Sequence, residues 1–290
     1  MGISKIKTIG IIGAGTMGAG IAQLAAQAGY KTLLYDLSRE QLEKGLKGIT
    51  ANLAKAVEKG LITQAQQDEV FKNLTLTGAL PDLVADMFIE AIVERLEVKV
   101  ELFKQLAAQN TDGCILATNT SSIPITRIAA AIPYPERVVG MHFFNPAHIM
   151  KLVEVISGAA TDGKVAETVH ELAMKLGKTP VYTKDAPGFI VNRVARHYYV
   201  EGLKVLEEQV ADYQTIDALL ESSGFKMGPF RLMDLIGIDT NFSVTSSMYQ
   251  SFHQDAKFRP SRIQQQKVDA GHHGIKTGKG FYEYTAPSNQ

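Results

Sequence analysis

The sequence predicts a doubly wound α/β sheet domain over residues 1–186, followed by an all-α domain over residues 187–290. Three observations carry this. Short apolar runs alternate with helix-period segments through the first part of the chain, the pattern of a mostly parallel sheet covered on both faces. A glycine-rich turn at Gly13 joins the first such strand to the first helix. Beyond Asp185-Ala186-Pro187-Gly188 the strand signal stops and only helical periodicities remain, so the boundary falls near residue 186.

The elements follow in order. Residues 6–12 are an apolar run ending at Gly13 and read as a buried strand. Residues 16–29 read as a helix closed by Gly29, and residues 31–36 as the second strand. Ser38 caps a polar, Lys-rich segment through Gly60, which reads as two helices projecting from the sheet. Strands are predicted at 74–77, 87–91, 114–118, 137–142, 151–155 and 179–182, and helices at 96–109 and 164–176. In the second domain Ile190, Val194 and Tyr198 recur at i+4 and predict a helix over 189–208. Further helices are expected at 213–223, at 231–252 with a break near Gly237, and at 261–270.

Composition narrows the classes. Lys+Arg and Asp+Glu are both 30, so the formal charge is zero, which argues against a nucleic-acid binder. No run of about 18 apolar residues occurs, so no membrane span is expected. The single cysteine, Cys114, permits no intramolecular disulfide and fits a reducing, cytoplasmic compartment; it reads as a small buried apolar residue. The apolar N-terminus runs straight into the glycine turn, and cleavage of a signal peptide there would discard that turn. Gly2 after Met1 is a weaker lipidation signal, set against the strand that follows.

Gly13-Ala14-Gly15-Thr16-Met17-Gly18 fits G-x-G-x-x-G between a predicted strand and a predicted helix, the context of a Rossmann-like dinucleotide site. Gly13 permits the turn, Gly15 lets the backbone approach a pyrophosphate, and Gly18 lets the helix pack close. Asp36 ends the second strand about 20 residues on, where a carboxylate accepts from the ribose hydroxyls and repels a 2′-phosphate. NAD is therefore expected rather than NADP, with Arg39 as the residue that would accommodate that phosphate.

His142 stands near the carboxyl end of a predicted strand, the edge at which such sheets bind ligands. Glu154 lies on the next strand, and a turn between the two would bring the side chains together as a general base with its orienting carboxylate. Thr118-Asn119-Thr120-Ser121-Ser122 also follows an apolar strand; it reads either as a group that orients a substrate oxygen or as a polar turn with Thr120 or Ser122 capping a helix. Asn192 begins the first helix of the second domain. No G-x-S-x-G elbow and no H-E-x-x-H or C-x-x-C occurs, so neither a serine hydrolase nor a metal site is expected. His272 and His273 read as solvated loop residues. Lys44, Lys47, Lys55 and Lys59 face only one acid between them, Glu58, and Lys55 and Lys59 share a helix face. Such a face suits a phosphorylated carrier such as coenzyme A, or is simply a solvated surface.

With these motifs in view, the chain resembles the L-3-hydroxyacyl-CoA dehydrogenases of the short bacterial 3-hydroxybutyryl-CoA type. The resemblance spans GAGTMGAGIA at 13–22, EAIVERLEVK at 90–99, TNTSSI at 118–123, HFFNP at 142–146, MKLVEV at 150–155, PGFIVNR at 187–193, MGPFRLMDLIGID at 227–239 and KTGKGFY at 276–282. It implies NAD-linked oxidation of a 3-hydroxyacyl-CoA to the 3-oxoacyl-CoA, and the reverse, by a homodimer joined through the helical domain. It implies that His142 is the catalytic base and Glu154 its partner. Ser121 and Asn192 would contact the substrate around its 3-oxygen and thioester. Glu94 and Lys99 would lie near the nicotinamide ribose, with Asn119 also among the cofactor-binding residues, and Lys55 and Lys59 would bind CoA.

Other readings remain open at this point. The segment from Met227 to Gln250 also resembles 3-hydroxyadipyl-CoA dehydrogenases, for which Arg231 or Lys226 would meet the distal carboxylate. An L-gulonate-type dehydrogenase and an inactive NADH-binding sensor are further alternatives. A subunit of a multifunctional fatty-oxidation complex is not expected, because no hydratase-like segment precedes Met1.

Overall fold

Parallel strands need crossover connections, and the first unit of the computed structural model supplies them with helices. The structure describes residues 2–284, and the chain separates into two compact units, Met1–Ala186 and Pro187–Gln290. The first unit runs β1 (Thr8–Ile12), α1 (Thr16–Gln27), β2 (Lys31–Tyr35), α2 (Arg39–Glu58), α3 (Gln64–Asn73), β3 (Leu74–Thr77), β4 (Met87–Glu90) and α4 (Leu96–Gln109). It continues with β5 (Ile115–Thr118), α5 (Ile125–Ala129), β6 (Val138–Phe143), β7 (Leu152–Ser157), α6 (Gly163–Lys175) and β8 (Thr179–Lys184).

The sheet order is β3-β2-β1-β4-β5-β6-β7-β8. The first six strands are mutually parallel, so the glycine turn and the ends of β4, β5 and β6 share one edge. β7 runs antiparallel to β6, and β8 is parallel to β7. Central strands β4, β5 and β6 are buried along their whole length, which explains why they read as unbroken apolar runs.

One sequence expectation is corrected here. Residues 38–60 form a single helix, α2, capped by the Ser38 side chain, and the second helix, α3, begins only at Gln64. Leu42, Gly45, Ile49 and Leu53 supply one buried stripe along α2, so the lysines take the other faces without interrupting it. The short helix α5 was not legible either, since it is only 5 residues long. It begins after Pro124, and the Asp185 carboxylate, rather than Thr120 or Ser122, accepts from Ile125 N and Thr126 N at 3.0 and 2.7 Å.

The second unit contains α7 (Val191–Glu207), α8 (Tyr213–Ser222), α9 (Pro229–Ile236), α10 (Ile238–Ser251) and α11 (Arg262–Asp269). Its core gathers Tyr199, Leu203, Ile216, Phe230, Met233, Ile238 and Phe281. Two buried carboxylates tie it together. Asp217 accepts from Phe230 N, Arg231 N and the Tyr282 hydroxyl, and Asp234 accepts from Phe281 N, Tyr282 N and the Tyr284 hydroxyl.

Candidate active site

The glycine turn is built by steric necessity. A Cβ on Gly13 would meet the Ala91 carbonyl oxygen at 2.6 Å, and its φ of +101° is open chiefly to glycine. A Cβ on Gly18 would stand 1.7 Å from the Gly13 carbonyl oxygen. Gly15 differs: a Cβ there meets nothing within 4 Å, and no side chain caps α1. Open space therefore faces the backbone where α1 begins, beside the N–H groups of its first turn at Thr16 and Met17, which suits the pyrophosphate of a dinucleotide. Asp36 stands at the end of β2; its Oδ2 accepts from Ala14 N and its Oδ1 from Ser38 N, both at 2.9 Å. Each oxygen keeps a further lone pair, so the carboxylate is aimed by the loop and can still accept from a ribose. Arg39 instead pairs with Glu43 at 3.0 Å on the exposed surface. These groups fit NAD.

On the same sheet edge, His142 of β6 is paired across the ladder with Glu154 of β7, and Nδ1 lies 2.8 Å from Glu154 Oε2. Both side chains are buried. With the antiparallel register imposed by β7, adjacency in the sheet rather than any turn makes this contact. The ring of Phe144 lies 4.6 Å from the imidazole. Asn119 ties the neighbouring loop to this strand: its Oδ1 accepts from Phe143 N at 2.8 Å, while its own N–H donates to the Glu90 carbonyl at 2.8 Å.

Behind the site lies a buried ionic network. Lys99, 1% exposed, sits between Glu90 and Glu94, 3.2 Å from Glu94 Oε2. Glu90 also accepts from Ile92 N and Thr118 Oγ1, both at 2.7 Å. Glu94 Oε1 accepts from the Thr120 hydroxyl, Ser121 N at 3.0 Å, Ser122 N at 3.2 Å and Ser122 Oγ at 2.9 Å. Burial alone would raise the Glu94 carboxyl, but the Lys99 charge and the hydroxyl hydrogen bonds outweigh it and hold it below the usual range. An ionised Glu94 thus anchors the loop that carries Ser121. Glu90 and Thr120 were not singled out from sequence. The one available signal was a carboxylate ending an otherwise apolar strand.

Lys178 was also unforeseen. It is 7% exposed, and its ammonium donates to the Ala147 and Met150 carbonyls at 2.6 and 2.8 Å, holding the connection between β6 and β7. Burial, aided by the Lys151 charge, pulls it down to about 8. Cys114 is buried, and burial pushes its thiol up to about 12, so it is inert. Lys55 lies in the last turn of α2 and Lys59 caps it, both exposed; Gly45 of the same helix packs against Ala14 of the glycine turn. Asn192 belongs to the second unit, in the first turn of α7. Arg231, a residue proposed for a distal carboxylate, already faces Glu221 at 3.4 Å and Asp217 at 3.8 Å and lies over the Tyr282 ring. Lys226 is exposed.

Comparison with known proteins now bears on the assignment. The family described as "3-hydroxyacyl-CoA dehydrogenase, NAD binding domain" matches residues 8–186, and "3-hydroxyacyl-CoA dehydrogenase, C-terminal domain" matches residues 188–284. The chain is 50% identical to a 3-hydroxyadipyl-CoA dehydrogenase of Escherichia coli K12, over 97% of this chain and 60% of that protein, so it spans well under two thirds of that relative. It is 43% identical to a probable 3-hydroxybutyryl-CoA dehydrogenase of Bacillus subtilis, over 97% of this chain and 98% of the other. A crystal structure of (S)-3-hydroxybutyryl-CoA dehydrogenase from Ralstonia eutropha superposes with a TM-score of 0.93 at 37% identity, covering 97% of this chain and 100% of that one. With both halves matched in order and the glycine turn, Asp36 and the His142–Glu154 pair in place, the chain belongs to the 3-hydroxyacyl-CoA dehydrogenase family of NAD-dependent oxidoreductases.

Proposed function

We propose that the chain oxidises a short-chain (S)-3-hydroxyacyl-CoA, such as 3-hydroxybutyryl-CoA, to the 3-oxoacyl-CoA with NAD, and catalyses the reverse reduction of acetoacetyl-CoA. The observation that carries this is the buried His142–Glu154 pair at the ligand-binding edge of the sheet. The residues Gly13, Gly15, Thr16, Met17, Gly18 and Asp36 hold the dinucleotide, and Glu94, Lys99 and Asn119 shape its nicotinamide end. Bound NAD supplies the acceptor for the hydride that leaves C3.

The proton chemistry belongs to the protein. Glu154 engages Nδ1 of His142, which fixes the tautomer and leaves Nε2 to take the 3-hydroxyl proton. The imidazolium so formed is stabilised by the buried carboxylate. In the reverse direction the same nitrogen returns the proton to the developing alkoxide. Ser121 and Asn192 orient the 3-oxygen and thioester, and Lys55 and Lys59 meet the phosphates of CoA. A second acyl group, 3-hydroxyadipyl, is favoured by the name of the 50%-identical relative.

We further infer a cytoplasmic homodimer. The exposed apolar residues Leu219, Phe225, Leu235 and Ile236 in and beside α8 and α9 support association through the helical unit, and a single buried cysteine suits a reducing compartment. Among the described residues no helix is long and apolar enough to cross a membrane. The experiment is consumption of NADH, with NADPH in parallel, by purified protein given acetoacetyl-CoA, with its mass in solution measured on the same sample. Turnover with NADH in preference to NADPH, by a species of twice the chain mass, is expected. NADH binding without turnover of any 3-oxoacyl-CoA would instead indicate a sensor.

A further inference from the structure

The helical unit buries a cation without a counter-charge. Arg196 of α7 is 2% exposed. Its Nη1 donates to the Asn241 carbonyl and to Asn241 Oδ1, each at 3.1 Å, and to Thr245 Oγ1 at 3.0 Å. The Tyr199 ring lies 5.1 Å from its guanidinium carbon. Each of these partners is neutral. Among the described residues the arginines that face carboxylates are Arg39, Arg231 and Arg259, and Arg196 is not one of them. Burial pulls the guanidinium down to about 10, against a smaller upward pull from Tyr199.

Two polar atoms of the same network have no partner. They are Arg196 Nε and Gln264 Oε1, both buried. Gln264 Nε2 donates to Asn241 Oδ1 at 2.9 Å, the oxygen that also accepts from Arg196, so both side chains converge on one point. A charge removed from water is costly unless something of opposite charge meets it. A guanidinium fork matches one kind of anion best, a planar carboxylate bound in two-point fashion.

The placement along α7 says where that carboxylate would come from. Asn192 and Arg196 are one turn apart on one face of the helix, separated by about 6 Å along its axis. In a dicarboxylic 3-hydroxyacyl chain the terminal carboxylate follows C3 by a few bonds, a comparable reach. Arg231 is already answered by Glu221 and Asp217 and cannot serve without breaking those pairs.

We infer that Arg196 is a specificity-determining residue that receives the terminal carboxylate of a dicarboxylic 3-hydroxyacyl-CoA, the substrate class to which this chain is fitted. The inference rests on the dehydrogenase reading above, with Asn192 at the substrate.

The test compares kcat/KM for 3-hydroxyadipyl-CoA and (S)-3-hydroxybutyryl-CoA in the wild type, in Arg196→Met and in Asn241→Asp. The second variant is nearly isosteric and gives Arg196 an internal carboxylate, so it guards against a folding failure of the first. The wild type should prefer the dicarboxylic substrate, and both variants should lower the adipyl-to-butyryl ratio by about tenfold to a hundredfold. A wild type with no such preference, or variants that depress both substrates alike, would overturn the assignment and leave Arg196 a tie between α7 and α10. Absence of turnover with either substrate in the wild type would instead remove the dehydrogenase reading itself.

Discussion

His142 and Glu154 divide one chemical task. The imidazole moves the proton and the carboxylate fixes which nitrogen does so, through a 2.8 Å contact at Nδ1. His142→Gln keeps a polar side chain of similar length but cannot cycle a proton. It should lower kcat by about a hundredfold to ten-thousandfold, while an NADH titration gives the wild-type affinity; loss of NADH binding would mean that His142 supports the fold instead. Glu154→Gln should lower kcat and alter its pH profile, because the imidazolium loses its buried counter-charge. An unaltered profile would reduce Glu154 to a strand-pairing residue. Lys99 acts at one remove: its ammonium is enclosed by Glu90 and Glu94, so its effect on a cofactor runs through the Glu94 carboxylate.

At the scale of the element, the loop after β1 separates two reasons for glycine that sequence merges. Gly18 is required by the protein itself, since a Cβ would enter the Gly13 carbonyl. Gly15 faces open space, and its lack of a side chain serves a ligand. Gly18→Ala should therefore cost about 2 kcal/mol or more in stability, visible as a fall in Tm. Gly15→Ala should hold Tm near wild type while raising the Kd for NADH about tenfold or more. Equal Tm losses in the two variants would refute the distinction. The TNTSSI loop shows how an element can be held from outside its own sequence. Glu94 gathers Thr120, Ser121 and Ser122 from one side, and Asp185 caps the following helix from the other. A local pattern of hydroxyl and amide residues announces a turn, but it does not say which carboxylates will organise it.

For the whole molecule, stability carries a record of the buried Lys178. Its ordinary 10.5 is lowered to about 8 in the fold. Below pH 8 the folded and unfolded chains both hold the proton, and the fold bears the cost of burying it. Between about 8 and 10.5 the unfolded chain keeps the proton while the folded one releases it, so stability rises with pH across that window. The neutral amine retains two N–H groups, enough for the Ala147 and Met150 carbonyls. The stability of wild type relative to Lys178→Met should therefore increase by about 1 kcal/mol per pH unit between pH 8 and 10. Denaturation curves at pH 7, 8, 9 and 10 check this, and a gap that stays constant with pH would show that Lys178 remains charged throughout.

Much of this molecule is local in origin and was therefore open to sequence. Strand–helix alternation, the glycine turn, Asp36 at the end of the second strand and the loss of strand signal after Ala186 all arise from residues close together in the chain, where periodicity and backbone sterics act. The nomination of His142 and Glu154 also came from adjacent predicted strands. What sequence could not contain was the partner of each polar group. Glu90, Lys99, Thr118 and Glu94 come from four separate segments, as do Arg196, Asn241 and Gln264. Charge compensation and hydrogen bonding act through space at a few ångströms, regardless of distance along the chain. Tertiary structure alone thus decided that Arg231 is already paired, that Arg196 has no counter-charge and that Lys178 is buried on carbonyls. Sequence determined the chemistry this chain is built to perform, and the packing of distant segments decided which charges remain for the substrate.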